Sequence, residues 1–453
     1  MGGTGTAGAY QAGVLRALHE SGVKIDVVAG CGIGAATAAF AAIDAGAQLW
    51  DRDGLWRSRD AARTYEWRRG LRAAGWCLAV ALAMVVVPLV ALVLGLLAYP
   101  VSFLCAILGI PGGAGLVAGY SRIMATAFDP AVLPSILPRV ALVGLAALVL
   151  VLVVVRVRRR IGGRRERPSG LWWAVLGAPV SGGVLAGGLR SRLWKVVAGA
   201  PGKKEPPLAD FSRRYADVLA ENLGQPGFRD LIVTVHDLDA RRDLVFAMLG
   251  ESLRRDFFRR PGGETGQQAG ELFDLAGVAR DHVMDATLGA LALPVVTESH
   301  QATFAPESYW QGETHRLVAR PEAIVRLFEE LQRASVEQVI LVSATPQAAG
   351  PHGLRASRRD AWGRLGESLA VADAAAARDA VYAWAGRFAA FFAIQPSYNA
   401  LANLDFRGCH DERSDRRQTV TELMDRGYED AYRQFIEPIV AGGADTQEGN
   451  RTP

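Results

Sequence analysis

Hydrophobic and charged positions divide the chain into soluble-type segments and one long uncharged region. Residues 1–56 and 207–350 alternate short apolar runs with polar turns, as soluble domains do. Residues 73–98 contain no charged side chain, and residues 140–155 form a second uncharged run. A helix of about 20 apolar residues spans a hydrocarbon core of about 30 Å, and arginines at both ends extend the reach of a shorter one. We therefore predict a hairpin of two transmembrane helices; the alternative is a pair of buried core helices.

The arginines around these runs predict how the hairpin is oriented. Both outer flanks, residues 52–72 and 156–167, are rich in arginine, whereas the segment between the runs has only Arg122 and Arg139 as basic residues. The positive-inside rule then places both ends of the hairpin, and the globular domain, on the cytoplasmic side. Basic flanks also favour membrane lipids with anionic headgroups. No secretory signal is expected before the first glycine loop.

The composition favours a membrane-embedded part and gives no support for nucleic-acid binding, metal binding or a disulfide-stabilised fold. Half of the 453 residues are hydrophobic, and the mean hydropathy is +0.14, which favours a membrane-embedded part. The net charge of +4 gives no reason to predict a nucleic-acid partner. The four cysteines show neither metal-ligand spacing nor a disulfide framework. We predict no cofactor and no metal.

The remaining pattern alternates strands and helices on both sides of the hairpin, which indicates an α/β sheet. Strands are predicted at 231–235, 242–246 and 339–343, and helices at 9–20, 35–45, 211–223, 281–293, 321–334, 355–392 and 419–436. The chain then divides into a first α/β part (1–56), the basic-flanked hairpin (57–170), a Gly/Pro-rich interfacial segment and linker (171–206), a second α/β part (207–350) and a helical C-terminal region with a disordered tail (351–453). Trp172, Trp173 and Trp194 are expected at headgroup level, the alternative for residues 171–189 being a buried loop.

The stretch 30–34 (Gly-Cys-Gly-Ile-Gly) follows an apolar run, 25–29, and precedes the helical run 35–45. Strand, glycine turn and helix form the setting of a nucleophile elbow, in which G-x-S-x-G presents a serine on a strained turn. Here the middle residue is Gly32, which leaves open whether the turn belongs to a working hydrolase or to a scaffold without its nucleophile.

A second glycine loop, residues 2–8, opens the helix 9–20. Such a loop normally follows a β-strand, yet only Met1 precedes it here, so either the strand lies upstream or the domain lacks it. A missing central strand would leave two neighbours unpaired, so we expect an upstream strand. Both glycine stretches also fit the GxGxxG or GxGxxA pattern of dinucleotide-binding loops. Neither is followed by a clear acidic residue at the end of a second strand, so nucleotide binding is the weaker interpretation.

Five blocks in order resemble motifs of the patatin-like phospholipase family. Residues 2–15 are similar to the family's oxyanion loop and first helix, and residues 25–36 to its strand, elbow and helix. The later blocks are residues 231–238, 286–296 and 308–313, the last of which falls where the family has its catalytic aspartate. The resemblance covers about residues 2–50 and 205–345. It implies a three-layer α/β/α sheet domain, interrupted in this chain by the membrane hairpin.

This resemblance implies lipid acyl hydrolysis, but the residues that would carry it are absent. Such chemistry uses a serine nucleophile, an aspartate that accepts its proton, and an oxyanion loop. The serine position is Gly32 and the aspartate position is Gln311. The remaining matched positions are the oxyanion loop residues Gly3, Thr4 and Gly5 and the elbow glycines Gly30 and Gly34. We therefore interpret the chain as a membrane-anchored, lipid-associated family member with impaired or no hydrolase activity.

Two other interpretations stay open. Cys31 adjoins the vacated serine position and would be the displaced nucleophile of an active hydrolase. Its candidate bases are His236, His300, His315 and His410, and the carboxylates that would replace the lost aspartate are Asp405 and Asp411. Alternatively, the chain is a membrane-bound interaction protein that docks a protein partner through its C-terminal helix, residues 419–436. The oligomeric state is not predicted.

Overall fold

The computed structural model describes residues 1–110, 112–127, 136–161, 177–199, 202–259, 270–346, 360–411 and 413–440. The chain forms two compact units. One consists of Met1–Glu66 with Val180–Pro453, and the other of Trp67–Pro179. Trp172, Trp173, the arginines at 164, 165 and 167, and the predicted disordered tail lie outside the described residues.

The described helices and strands alternate along much of the chain. The helices are α1 (Ala7–Glu20), α2 (Ile33–Ala42), α3 (Ala47–Trp50), α4 (Arg69–Ile107), α5 (Gly113–Ala127), α6 (Ile136–Ile161), α7 (Gly183–Val197), α8 (Leu208–Asn222), α9 (Glu251–Phe258), α10 (Val283–Leu291), α11 (Ala323–Arg333), α12 (Ala361–Trp384) and α13 (Val420–Ala431). The strands are β1 (Val27–Cys31), β2 (Glu66–Trp67), β3 (Val180–Ser181), β4 (Asp230–Asp237), β5 (Arg242–Met248), β6 (Leu272–Asp274), β7 (His300–Thr303), β8 (Thr314–Val318), β9 (Gln338–Val342), β10 (Ala390–Ile394), β11 (Cys409–Asp411) and β12 (Arg416–Gln418).

A mixed six-stranded sheet forms the centre of the first unit. Its path is β6-β5-β4-β8-β7, and β1 pairs with β4 in parallel. Strand β5 returns antiparallel beside β4, so the strands predicted at 231–235 and 242–246 form a β-hairpin. A second, two-stranded parallel sheet contains β9 and β10. The predicted α/β class is therefore confirmed, with a sheet of mixed strand direction.

Both faces of the central strands are buried in apolar cores. In β4, Leu231 and Val233 belong to one core and Ile232 to the other. In β5, Phe246 belongs to the core of Leu231, and Val245 to the core of Ile232. Because side chains alternate across a strand, these two cores lie on opposite faces of the sheet. A sheet covered on both faces is what a three-layer α/β/α arrangement requires.

One predicted helix is too long. The helix expected at 355–392 ends at Trp384, and Ala390–Ile394 is instead strand β10, paired along its length with β9. The segment contains two adjacent phenylalanines, and aromatic side chains favour strands. Pairing with a distant strand thus overrides the helical preference of the alanine-rich region before it. Residues 355–359 lie outside the described part of the chain.

The C-terminal helix α13 packs against α1 through two glycines. A capping box at Thr419 starts the helix, which continues as a π-helix, Tyr432–Ile436. A Cβ added at Gly13 would lie 1.8 Å from the carbonyl oxygen of Met424, and one at Gly427 would lie 2.2 Å from that of Tyr10. Only residues without a Cβ let the two backbones approach so closely.

The second unit is a set of packed apolar helices. Helix α4 contains the predicted span 73–98 and runs on through Pro100 to Ile107. Helix α6 contains the predicted span 140–155, and α5 lies between α4 and α6 in the sequence. The helices meet at Tyr120, whose hydroxyl donates to the Ala91 carbonyl at 2.9 Å.

By length and composition, one helix among the described residues can cross a membrane. It is Leu89–Ile107, with 19 residues, a mean hydropathy of 2.4 and 11% of its window buried. The apolar helix Arg139–Val154 is shorter. Large apolar side chains on this unit are exposed, among them Leu96 at 74% and Phe103 at 67%.

Replacing Gly427 by alanine tests the close packing of α1 and α13. The added methyl group would overlap the Tyr10 carbonyl, so we expect the free energy of unfolding to fall by roughly 2 kcal/mol or more. Gly187→Ala is the matched control, because Gly187 lies exposed within α7 with no atom within 4 Å of the added Cβ. That change should stabilise the helix by about 0.5–1 kcal/mol. Urea unfolding of both variants measures this, and equal midpoints would contradict the packing.

Candidate active site

Gly32 lies on the turn between β1 and α2. Strand β1 ends at Cys31 and α2 begins at Ile33, so the predicted order of strand, turn and helix is present. Gly32 has a φ of +59° and a ψ of −134°, in the left-handed half of backbone space that glycine tolerates best. The flanking glycines also allow close approach, since a Cβ at Gly30 would lie 2.2 Å from the Gly34 carbonyl oxygen.

The first glycine loop lies directly on this turn. The carbonyl oxygen of Gly3 accepts a hydrogen bond from the backbone N–H of Ile33 at 2.9 Å. A Cβ added at Gly32 would lie only 2.3 Å from the same oxygen. A residue with a Cβ at position 32 therefore does not fit this conformation of the loop. The amide that follows it is already engaged within the protein.

A buried carboxylate engages the rest of the loop. Asp373, from α12, accepts hydrogen bonds at Oδ2 from the backbone N–H of Thr4 at 2.9 Å and from its hydroxyl at 2.8 Å. The side-chain amide of Asn403 donates to the same oxygen at 2.6 Å. The loop that would stabilise an oxyanion in a hydrolase thus holds an internal carboxyl group instead. The carbonyl of Asn403 also accepts the Thr6 N–H at 2.9 Å.

The environment of Asp373 disfavours its charged form. Burial raises the pKa of this carboxyl to about 6, and the hydrogen bonds from Thr4 and Asn403 oppose that rise. Its second oxygen, Oδ1, is buried without a hydrogen-bond partner. Desolvation of the charged form outweighs these hydrogen bonds, so Asp373 binds a proton at a higher pH than an exposed aspartate does.

Cys31, the candidate displaced nucleophile, lies in the core. Its side chain is 2% exposed and belongs to the core on the α11 face of the sheet. Burial raises the pKa of the Cys31 thiol to about 12. Since the thiolate is the nucleophilic form, this environment makes Cys31 a poor nucleophile near neutral pH.

The candidate bases and carboxylates make other hydrogen bonds. Each histidine is bonded to a carboxylate of its own: His236 to Asp243 (2.7 Å), His300 to Asp285 (2.7 Å), His315 to Asp237 (2.5 Å) and His410 to Asp415 (3.0 Å). Asp405 accepts the Ala402 N–H, and Asp411 accepts from Tyr398, Ser414 and Gln418. None of these bonds involves Cys31. Among the described residues, no cluster of three or more His, Cys, Asp or Glu could hold a metal ion.

Gln311 lies exposed in the loop between β7 and β8. Its φ is +45°, and its backbone N–H donates to the Ser308 carbonyl at 3.1 Å. The neighbouring Trp310 packs against His315 and donates its indole N–H to the Gly270 carbonyl at 3.0 Å. The assignment of Gln311 to the vacated aspartate position remains a prediction.

Sequence reasoning missed Asp373 and Asn403. Both lie in the C-terminal region, which the family resemblance did not cover. The one available signal was an isolated acidic residue in the alanine-rich run at 370–377. If such an aspartate is buried, it needs a hydrogen-bond partner, because a buried charge without one is costly. The sequence does not identify that partner.

Together, the fold and the site define an α/β protein with a glycine loop resting on a strand–turn–helix elbow. Residues 1–90 match the family model described as "Patatin-like phospholipase". The matched part contains the loop, the elbow and the beginning of α4, and it confirms the resemblance to this family. No curated protein matches the chain.

Substituting asparagine for Asp373 tests the raised pKa of this buried carboxyl. The pKa rises from 3.8 in the unfolded chain to about 6 when folded. The stabilisation this gives is therefore fully present below about pH 4 and lost as the pH rises through about 6, about 3 kcal/mol at most. Asp373→Asn, of similar size and uncharged, should flatten the decline between pH 4 and pH 7. Denaturant midpoints across this range measure it, and parallel curves for the two proteins would refute the assignment.

Proposed function

We propose that this chain is a membrane-associated protein of the patatin-like type whose acyl-hydrolase site is closed and does not hydrolyse esters. The observation that carries the proposal is the hydrogen bond from the Ile33 N–H to the Gly3 carbonyl, made above a glycine in the nucleophile position. In an elbow-type hydrolase, the backbone N–H after the nucleophile is a donor of the oxyanion hole. Here that donor serves the protein's own backbone.

Three requirements of acyl transfer fail together at this site. Gly32 has no side chain with which to attack a carbonyl. The amides of Ile33 and Thr4 are engaged by Gly3 and Asp373, and each lost oxyanion donor costs roughly 3–4 kcal/mol of transition-state stabilisation. Gln311, at the proposed aspartate position, has an uncharged amide that does not act as a general base. The absence of the nucleophile, the free oxyanion donors and the general base together supports a non-catalytic role more strongly than the absence of any one of them.

Ester hydrolysis assays test the closed site directly. We expect the purified protein to show no labelling by a fluorophosphonate probe and no fatty-acid release from lysophospholipid. Gly32→Ser should remain inactive, because its Cβ would meet the Gly3 carbonyl and the Ile33 amide would still be engaged.

Cys31→Ala is the matched control for displaced chemistry, and it should behave as the unaltered protein does. Turnover that disappears in Cys31→Ala would replace this proposal with a cysteine hydrolase. A serine labelled by the probe would instead indicate an active serine hydrolase with another nucleophile.

We further propose that the second unit anchors the protein in a membrane as a two-span hairpin, with both ends on the cytoplasmic side. Support comes from the exposed apolar surface of its helices, from the length and hydropathy of Leu89–Ile107, and from the arginines on both outer flanks. Each basic residue near an anionic surface contributes about 1 kcal/mol of attraction. Anionic lipids are therefore the proposed lipid partners.

Charged residues placed on the exposed face of Leu89–Ile107 test membrane anchoring. The double variant Leu96→Arg/Phe103→Arg puts two charges into the proposed span, each costing about 2.5–3.5 kcal/mol at the centre of a bilayer. It should shift the protein from the alkali-resistant membrane fraction to the supernatant. The control, Leu96→Met/Phe103→Leu, keeps the positions apolar and should stay membrane-bound. Retention of the arginine variant would contradict anchoring through this helix.

A protein partner of α13 would bind its outer face. The inner face packs on α1, whereas the exposed side carries Glu422, Asp425 and Glu429. This placement favours a partner with a basic surface.

A further inference from the structure

The loop of residues 291–296 is hydrogen-bonded to both places where the chain passes between the two units. The Leu291 carbonyl accepts a hydrogen bond from the Tyr65 hydroxyl at 2.9 Å, and the Val296 carbonyl accepts one from the Val180 N–H at 3.1 Å. Tyr65 lies one residue before the end of the first segment of the first unit, and Val180 begins its second segment. The loop therefore lies beside the residues through which the chain leaves the first unit and returns to it.

Val295 forms the tip of this loop. The Val296 N–H donates to the Pro294 carbonyl at 2.8 Å, which closes a three-residue γ-turn around Val295. The φ of Val295 is +68°, and γ-turns with a positive φ at the central residue are rare and strained. The Val295 side chain is 91% exposed, a larger fraction than for any other large aliphatic side chain among the described residues.

Neither the backbone nor the protein interior accounts for a valine at this tip. A positive φ brings the Cβ close to the following carbonyl oxygen, which makes it an outlier for a β-branched residue. In the part of the chain that the structure describes, the other residues with a positive φ are glycines or carry polar side chains. Because almost all of the Val295 side chain is exposed, contacts within the protein do not offset this strain. An apolar environment outside the protein would.

The neighbouring chain crossing favours a bilayer as that environment. Helix α4 begins at Arg69 and carries no charged side chain after Arg72. The uncharged stretch of the proposed membrane unit thus begins seven residues after Glu66. The basic residues just before it, Arg68 among them, are favoured at the level of anionic headgroups. Since the loop is bonded to Tyr65, next to Glu66, covalent connectivity places it near this level.

The size of the exposed apolar surface distinguishes a bilayer from a protein partner. Within the loop, Val295 is the one exposed apolar side chain, because Pro294 is half-buried and Val296 is buried. A stable protein interface buries roughly 800 Å² on each partner, far more than one valine provides. A bilayer, in contrast, accepts a single inserted side chain without a complementary surface.

We propose that the tip of the 291–296 loop, with Val295 at its apex, inserts into the headgroup region of the bilayer and contacts lipid acyl chains there. This inference rests on the membrane anchoring proposed above and adds a contact made by the first unit. Membrane helices fix the distance of the domain from the bilayer. A second contact on the domain itself would also fix its tilt.

Lipid quenching of a fluorophore at position 295 tests this proposal in the full chain. Val295→Cys is made in a variant whose four native cysteines are replaced by alanine. It is labelled with a nitrobenzoxadiazole maleimide and placed in nanodiscs of phosphatidylcholine and phosphatidylglycerol. We expect lipids with a doxyl quencher on the acyl chain to lower its emission about twofold or more, since interfacial segments reach about 5–10 Å into the headgroup boundary.

Val278→Cys is the matched control on the same unit. Val278 is also an exposed valine, at 66%, and it follows β6, which ends beside Ala247 near the amino end of β4. The 291–296 loop lies toward the other end of β4, because the Ala292 carbonyl accepts from the Ala319 N–H, directly after β8. We therefore expect the emission of the label at Val278→Cys to stay unchanged.

A label at Phe103→Cys, on the exposed face of α4, reports the anchoring itself. Quenching at Phe103→Cys without quenching at Val295→Cys would overturn this inference and leave the anchoring intact. Absence of quenching at both positions would overturn the anchoring, and this inference with it. Equal quenching at Val278→Cys and Val295→Cys would contradict a specific contact of the loop. A blue-shifted emission at Val295→Cys that the lipid quenchers do not lower would assign the loop to a protein partner instead.

Discussion

The hydrogen bond between the Ile33 amide and the Gly3 carbonyl determines how the rest of the site is arranged. It holds the first glycine loop against the elbow at a distance that only a glycine at position 32 permits. With the loop in this position, the Thr4 amide faces α12 and meets Asp373. The absence of a side chain at Gly32 and the engagement of the loop amides are therefore one structural state. A serine at this position and the present loop conformation exclude each other.

The C-terminal region is an integral part of the first unit. Asp373 and Asn403 make hydrogen bonds that hold the glycine loop. Strand β10 pairs with β9, and α13 packs against α1. Residues outside the part that matches the family model thus provide the hydrogen-bond partners of the glycine loop. The loop is thus held by internal hydrogen bonds in a buried setting, where a donor or acceptor without a partner would be costly.

Local signals in the sequence predicted the elements that depend on neighbouring residues. The elbow was predictable because an apolar run, a glycine turn and a helical run follow one another within about 20 residues. The hairpin of β4 and β5 was predictable for the same reason. Strand β10 was not predicted, because the alanine-rich run before it favoured a helix and the strand is stabilised by pairing with β9, about 50 residues earlier. The hydrogen-bond partner of Thr4 could not be predicted either, since Asp373 is 369 residues away in sequence.

The close packing of α1 and α13 at Gly13 and Gly427 affects the order in which parts of the protein fold during synthesis. Tyr10 in α1 donates a hydrogen bond to Asp430 in α13 across 420 residues of sequence. When α1 leaves the ribosome, the surface it will bury does not yet exist, and helices α4–α6 must be made first. Contacts this distant slow folding because loop-closure entropy is lost before they form. The first helix of the chain would therefore be among the last elements to reach its final packing, and its apolar face would need protection in the interval.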